Sequence, residues 1–354
     1  MKNTIEKTNQ VLLDLVIQKV KAEYENDIDL IGVYGSCVTG DYHEKSDLDV
    51  LVVVNNERGY GFSRCFILND IGYDLYGSTW SKLEDIASFD HTFTAELVDA
   101  EIVYYRNGES AERFKRLKQQ ALEVMKNPLT PEMLNKAKKH LDDAILAYGK
   151  MMLEDEIGVV RHASGEVIYC LANTISLLNR TYYKLGVKRQ LEEILAMRLV
   201  PENYETNFHG FLLAETVTEI GEWTGKLIKS VKKLYQDIAE KTTSNPKPTR
   251  DNLRGTYEEI WSNLYNKVRY AAQHEDMFLA FSAGESCQGF YDHMHQTCGT
   301  SRIELMKHFD PKNLNNFADE FAKAMELYKT EYEKLGMKVQ SYDSLEAFKE
   351  DYLG

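Results

Sequence analysis

Between Ser46 and Val54 the chain reads SDLDVLVVV, an unbroken apolar run entered through two aspartates with one leucine between them. The run is strand-like, and strand side chains alternate between two faces. Asp47 and Asp49 therefore point the same way, while Leu48 and Val50 point to the side where they can pack. Two carboxylates this close repel each other and raise each other's pKa unless a cation lies between them. A divalent metal removes the conflict. Carboxylate oxygens suit Mg²⁺, which keeps some waters and recruits phosphate oxygens as further ligands.

The preceding apolar run, LIGVYGS, ends in Gly35 and Ser36. Glycine lets the backbone approach a ligand closely. Ser36 and the amides after it belong at a tight turn or helix start, where free N–H groups form an anion site. The pieces place a phosphate at Gly35–Ser36 and metal at Asp47 and Asp49. A third carboxylate would complete a two-metal site. Asp74, in GYDLYG, is the candidate, because it stands among apolar residues where an unpaired charge is costly.

Through Met125 the chain alternates helix-like and strand-like runs. Ile5 to Tyr24 is a helix by its apolar spacing, LIGVYGS and DLDVLVVV are strands, and a third strand runs from Ile71 to Tyr76. SKLEDIASF is a short helix with Ser81 as its cap. AELVDAEIVYYRNG carries a fourth strand closed by an Asn-Gly turn, and ESAERFKRLKQQALEVM is a charged helix leading outward. Thr130-Pro131-Glu132 is a helix start with proline in the first turn. Beyond it apolar residues step by three or four, as in Leu134, Ala137 and Leu141, Ile168, Leu171 and Ile175, or Leu314, Phe317 and Phe321, and no strand is evident. KTTSNPKPTRDN interrupts the pattern as an exposed loop. The expected fold class is α+β: a mixed β-sheet with flanking helices over residues 1–127, then an all-α helical bundle over residues 128–354.

Gly35-Ser36, a short spacer, and Ser46-Asp47-Leu48-Asp49 inside an apolar run together resemble the nucleotidyltransferase motif of the polymerase-β superfamily, with Asp74 fitting its third carboxylate. The resemblance covers residues 28 to 105, and the helical remainder is similar in kind to that of aminoglycoside-type nucleotidyltransferases. It implies Mg²⁺-bound ATP or another NTP, with the triphosphate at Gly35, Ser36 and Ser46. It also implies two Mg²⁺ ions held by Asp47 and Asp49. Asp74 would help hold the catalytic ion and orient or deprotonate an acceptor hydroxyl. The hydroxyl attacks the α-phosphorus in line, and pyrophosphate leaves. The implied acceptor is a small hydroxylated molecule, such as an aminoglycoside-like antibiotic, receiving AMP. Two alternatives stand beside it: a protein side chain or RNA end as acceptor, as in toxin–antitoxin relatives, and a non-catalytic nucleotide-binding regulator. The long helical body speaks against the former and the acidic triad against the latter. Relatives often complete the site across a dimer, which leaves a homodimer open.

Charge narrows the partners. The 354 residues carry 42 Lys and Arg against 56 Asp and Glu, a formal charge of −14, which argues against a protein that tracks a nucleic-acid backbone. No apolar stretch approaches a membrane span, and the N-terminal segment scatters charge where a signal peptide needs an apolar core. Five cysteines without paired spacing fit a reducing cytoplasm, and Cys37, Cys65 and Cys170 read as small core residues.

Several weaker patterns carry a plain reading beside a functional one. Asp41, Glu44 and Lys45 could brush the triphosphate or form a solvated loop. Glu96, Asp99 and Glu101 could pair with an acceptor ammonium, Asp99 and Glu101 sharing a strand face, or simply face solvent. Glu166 and Asn173, seven apart on a helix, could belong to an acceptor wall, with Arg161 and His162 nearby, or to packing. Arg269 and His274 resemble the R-x4-H pattern of HEPN ribonucleases, but such short patterns arise by chance. Cys287, His293, His295 and Cys298 are zinc-ligand types in a spacing that fits no standard structural site.

Overall fold

The structure is a computed structural model describing residues 2–242 and 246–354, and it divides into two compact units, Met1–Thr243 and Ser244–Gly354. Among its described residues the first unit holds six strands: β1 (Ile28–Tyr34), β2 (Asp49–Val54), β3 (Arg64–Leu68), β4 (Ile71–Leu75), β5 (Gly77–Ser78) and β6 (Glu101–Tyr105). Its helices are α1 (Lys2–Lys19), α2 (Ser36–Thr39), α3 (Trp80–Ala87), α4 (Ala95–Val98), α5 (Gly108–Lys126), α6 (Pro131–Met151), α7 (Ile157–Asn179), α8 (Gln190–Ala196), α9 (Tyr204–Leu213) and α10 (Val217–Thr242). Four strands form a mixed sheet in the order β5-β2-β1-β6, antiparallel around β1 and parallel between β2 and β5. β3 and β4 form a separate antiparallel hairpin.

Side-chain alternation explains how this sheet is covered. Ile31, Val33, Val50 and Val52 pack with Leu13, Val16 and Val20 of the N-terminal helical stretch and with Tyr73 of β4. Leu30, Leu51 and Val53 face the other way, onto Trp80, Leu83 and Ile86 of α3, Phe114 of α5 and Leu177 of α7. An apolar run without polar alternation is what a strand covered on both faces requires. Asp49 has the parity of Leu51 and Val53, so it emerges on the α3–α7 side. There it lies opposite Tyr34 in the β1–β2 register.

The helices after Asn127 follow their caps and stripes. Thr130 accepts a hydrogen bond from the Met133 N–H, with Pro131 in the first turn. Leu141, Val167, Leu171, Ile175, Leu227 and Val231 make the shared core of α6, α7 and α10. The boundary expected at residues 127 and 128 falls within the first unit, in the link between α5 and α6.

The second unit contains no strand among its described residues. It comprises α11 (Arg250–Leu253), α12 (Thr256–Ile260), a π-helical turn, α13 (Asn266–Gln273), α14 (Met277–Cys298), α15 (Leu314–Lys334) and α16 (Leu345–Leu353). Tyr257, Val268, Cys287, Tyr291, Phe317, Phe321 and Tyr328 lie in its core. Among the described residues no helix is long and apolar enough to cross a membrane. Residues 243–245 of the expected KTTSNPKPTRDN loop lie outside the described residues.

Several local expectations are corrected. The cap of α3 is Thr79, which accepts from Lys82 N–H, because the apolar Trp80 already belongs to the helix; Ser81 does not cap it. Asn107-Gly108 is no turn: Asn107 caps α5 by accepting from Ser110 N–H. Asp99 ends α4, and the strand begins at Glu101, so the two do not share a strand face. Residues Arg64–Leu68, ahead of the expected third strand, form a strand of their own. Cys65 is exposed, its Sγ 3.0 Å from the Tyr76 hydroxyl, whereas Cys170 is buried. Arg269 lies exposed on α13 over the Tyr265 ring, and His274, exposed just after the helix, stacks on Tyr270. Cys287 and Cys298 are buried core thiols of α14, while His293 and His295 point to the surface.

Candidate active site

Gly35 leaves β1 with φ 67° and ψ −143°, a backbone that side chains rarely adopt, and starts the single turn α2. The close approach has a second cause. A Cβ at position 35 would stand 1.9 Å from Asp49 Oδ2. The glycine is what lets the Asp49 carboxylate lie against the turn, where it accepts a hydrogen bond from the Ser36 N–H. The N–H groups of Val38 and Thr39 turn back to the Gly35 carbonyl, at 3.2 and 3.0 Å. The turn is therefore tight as expected, but three of its amides already have partners.

β2 begins at Asp49, so Asp47 lies in the approach to the strand and not on it. Both carboxylates nevertheless line one cavity of about 570 Å³ together with Gly35, Ser36 and Ser46. Ser46 is buried and its hydroxyl oxygen accepts from the His43 N–H at 2.9 Å, which fixes the loop leading into the acidic pair. Neither Asp47 nor Asp49 has an ion-pair partner among the described residues. The Asp49 carboxyl is pushed up to about 6, first by burial and then by the Asp47 charge, while the Ser36 amide pulls it down. Asp74 and Glu96 add to the upward push.

The remaining walls come from chain segments that motif reading does not reach. Glu96 lines the cavity, buried, with Lys82 Nζ 2.7 and 2.9 Å from its two oxygens. Tyr34 faces the same space; burial, then the charge of Glu96, holds its phenol well above the ordinary value. Tyr169 and Asn173, one turn apart on α7, close another side, with the Tyr169 hydroxyl 2.9 Å from that of Thr92. Residues Tyr183 to Lys188, in the loop after α7, complete the rim.

Of the expected site residues, Gly35, Ser36, Ser46, Asp47, Asp49 and Glu96 converge. Asp74 does not line this cavity. It is exposed on β4 and shares a neighbouring shallow cleft with Asp47, Cys65 and Tyr73. Asp99 stands outside, bound by the Tyr182 hydroxyl at 2.7 Å and near Lys184 at 3.9 Å. Glu166 is exposed on α7 and does not reach the cavity, although Asn173 of the same helix does. Among the described residues no group of three or more His, Cys, Asp or Glu is arranged to hold a metal ion. Of the carboxylates lining the cavity, Glu96 is held by Lys82 and Asp41 by Lys188 and Arg189, which leaves Asp47 and Asp49 as the pair without a cation among the described residues. A hard cation that takes one or two carboxylates and fills its shell with phosphate and water fits such a pair.

Residues 13–140 match the family model of the nucleotidyltransferase domain, and residues 111–241 match that of the KNTase C-terminal domain. No curated protein matches. Among solved structures the chain is similar to the crystal structure of a nucleotidyltransferase-like protein from Exiguobacterium sibiricum 255-15. The two share 12% identity over 74% of this chain and 91% of that one, with a TM-score of 0.34.

Proposed function

The chain belongs to the polymerase-β-like nucleotidyltransferases with a KNTase-type C-terminal domain, the architecture of the aminoglycoside-modifying members, and from that premise we propose that it moves AMP from ATP to a hydroxyl of a small molecule. The observation that carries the proposal is the Asp47–Asp49 pair. The two carboxylates enter one cavity, Asp49 in the space that the missing Cβ of Gly35 leaves, and among the described residues neither has an ion-pair partner.

Asp47 and Asp49 would hold Mg²⁺, which when bound supplies charge stabilisation at the transferring phosphorus. The residues of the chain bind and orient. The turn at Gly35 and Ser36, with Ser46, lies where the phosphates of the nucleotide would be received. Tyr169, Asn173 and Phe93 offer the mixed aromatic and amide wall that a hydroxylated acceptor needs. In the reaction the acceptor oxygen forms a bond to the α-phosphorus, the bond between α- and β-phosphates breaks, and pyrophosphate carries off its electrons. The hydroxyl proton passes to a carboxylate of the cluster. Asp74 is proposed for this role, supported by its charge at Asp49 and by the cleft it shares with Asp47. Glu96 is the acceptor-wall carboxylate we retain, since Asp99 and Glu166 stand apart from the cavity.

The test is pyrophosphate release with Mg²⁺ and each NTP over a panel of hydroxylated acceptors, followed by mass spectrometry of the products. One AMP added to a small molecule is the expected result. An AMP found on a protein or RNA, with none on any small acceptor, would overturn the acceptor class.

A further inference from the structure

Taking the nucleotidyl-transfer reading as its basis, we propose that Lys188 and Arg189 bind the phosphate tail of the nucleotide, and that Asp41 is the internal carboxylate the phosphates displace from them. The two cations sit 147 and 148 residues from Asp41 in sequence; Asp41 and Lys188 line the cavity, and Arg189 reaches Asp41 from beside it. Lys188 Nζ lies 3.1 Å from Asp41 Oδ2 and also donates to the Asp41 carbonyl. Arg189 Nη2 lies 3.3 Å from Asp41 Oδ1. Asp41 directly follows Gly40, the residue that closes the turn begun by Gly35 and Ser36. The two charges are thus delivered to the proposed phosphate turn from a different part of the chain.

The turn needs them. It contains no Lys or Arg between Gly35 and Asp41, and the amides of Ser36, Val38 and Thr39 already serve Asp49 and the Gly35 carbonyl. A triphosphate brings several negative charges into a cavity that already holds Asp47 and Asp49. Three lysines line that cavity, Lys45, Lys184 and Lys188. Lys45 pairs with the exposed Asp70, and Lys184 leans toward Asp99 outside the cavity. Of these three, Lys188 alone, joined by Arg189, converges on a carboxylate of the cavity wall, as Lys82 does on Glu96 from outside the lining.

The loop that presents the pair is shaped in advance. Arg180 ends α7 in a left-handed conformation with φ 54°, and Gly186 turns again with φ 71°. Glu193 accepts from the N–H groups of Lys184 and Leu185, at 2.8 and 3.1 Å. A single 3₁₀ turn, Val187–Arg189, then projects both cations. Preorganisation of this kind lowers the ordering cost of binding. Carboxylate and phosphate oxygens satisfy Lys and Arg in the same way, but the phosphate carries more charge. The ion pairs with Asp41 are two-fifths exposed on the cation side, and such pairs are weak. A polyphosphate therefore wins the exchange.

Titration calorimetry with Mg-ATP and with AMP tests the assignment on the whole chain. Lys188→Ala and Arg189→Ala should each weaken Mg-ATP binding about tenfold, a charge-assisted hydrogen bond's worth, and leave AMP binding within twofold. Lys188→Arg should restore most of the loss. Asp41→Asn, which keeps the shape and removes the competitor, should tighten Mg-ATP binding about two- to fivefold. The opposite signs separate exchange from a structural clasp. If Asp41→Asn weakens Mg-ATP as much as Lys188→Ala does, or if Lys188→Ala binds Mg-ATP like the wild type, the proposal fails while the transfer reading stands. A wild-type chain that binds no NTP defeats both together.

Discussion

The chain spells the same triplet pattern twice, Asp27-Ile28-Asp29 leading into β1 and Asp47-Leu48-Asp49 leading into β2, and the fold treats the two in opposite ways. Asp29 is 4% exposed and fully answered. It accepts from Arg106 Nε at 2.6 Å, Trp80 Nε1 at 2.6 Å and Ser110 Oγ at 3.2 Å. Asp27 meets Arg58 and the Asn56 amide. At the opposite end of β1, Asp49 is given another carboxylate for a neighbour and one backbone amide. A buried charge with every partner in place ties β1 to α3, to the residue after β6 and to α5. A half-buried charge left beside its like is a cost to the fold, and such costs gather where chemistry is done. The Asp-x-Asp spelling alone distinguishes nothing; the partners do.

The comparison breaks most sharply at position 49. Asp49→Asn should lower pyrophosphate release with Mg²⁺ and NTP by at least about a hundredfold. Measured without divalent cations, the same substitution should raise the melting temperature, because it removes a repulsive charge. A variant that lost both activity and stability would show Asp49 to be a structural residue like Asp29. The next largest effect is the mirror image. Asp29→Ala leaves Arg106 without its carboxylate and should cost about 3 kcal/mol in denaturant unfolding. A loss under 1 kcal/mol would show that the network around Asp29 does not hold the sheet.

The smallest effect is the pH dependence of that comparison. The Asp49 carboxyl is raised from 3.8 to about 6, so between these values the folded chain binds more protons than the unfolded one. Its contribution is therefore favourable below the lower value and is lost as pH rises through the upper one. Without divalent cations, the stability gain of Asp49→Asn over the wild type should be absent near pH 4 and complete above about pH 6, at roughly 1–2 kcal/mol after solvent screening. Unfolding curves at several pH values check it. A gain independent of pH would mean that the side chain's shape, and not its charge, is responsible.

That Asp47, Asp49 and Gly35 come together at one cavity was legible because it depends on short-range rules: two acids one residue apart at the start of an apolar run, and a glycine before a turn. The helices after Thr130 were legible for the same reason, through a cap, a proline and a stripe. β3 was hidden because most of its side chains are exposed, leaving no apolar alternation to read. Its hairpin turn, Asn69 and Asp70 in left-handed conformations, was the signal available. The cavity walls at Tyr34, Thr92 and Tyr169, and the reach of Lys188 to Asp41, join segments far apart in the chain. No local pattern encodes such proximity. Glu166 looked equivalent to Asn173 by spacing, yet the two lie two turns apart on α7 and only the later one reaches the cavity.

The outward-facing thiol of Cys65 gives the protein a natural attachment point. Three of its four fellow cysteines are buried, and burial holds the half-buried Cys37 up at about 11, so alkylating dyes or spin labels meet Cys65 first. Its sulfur borders the cleft shared by Asp47 and Asp74. A reporter placed there would sense cation or nucleotide arriving at the acidic end of the sheet without any engineered residue.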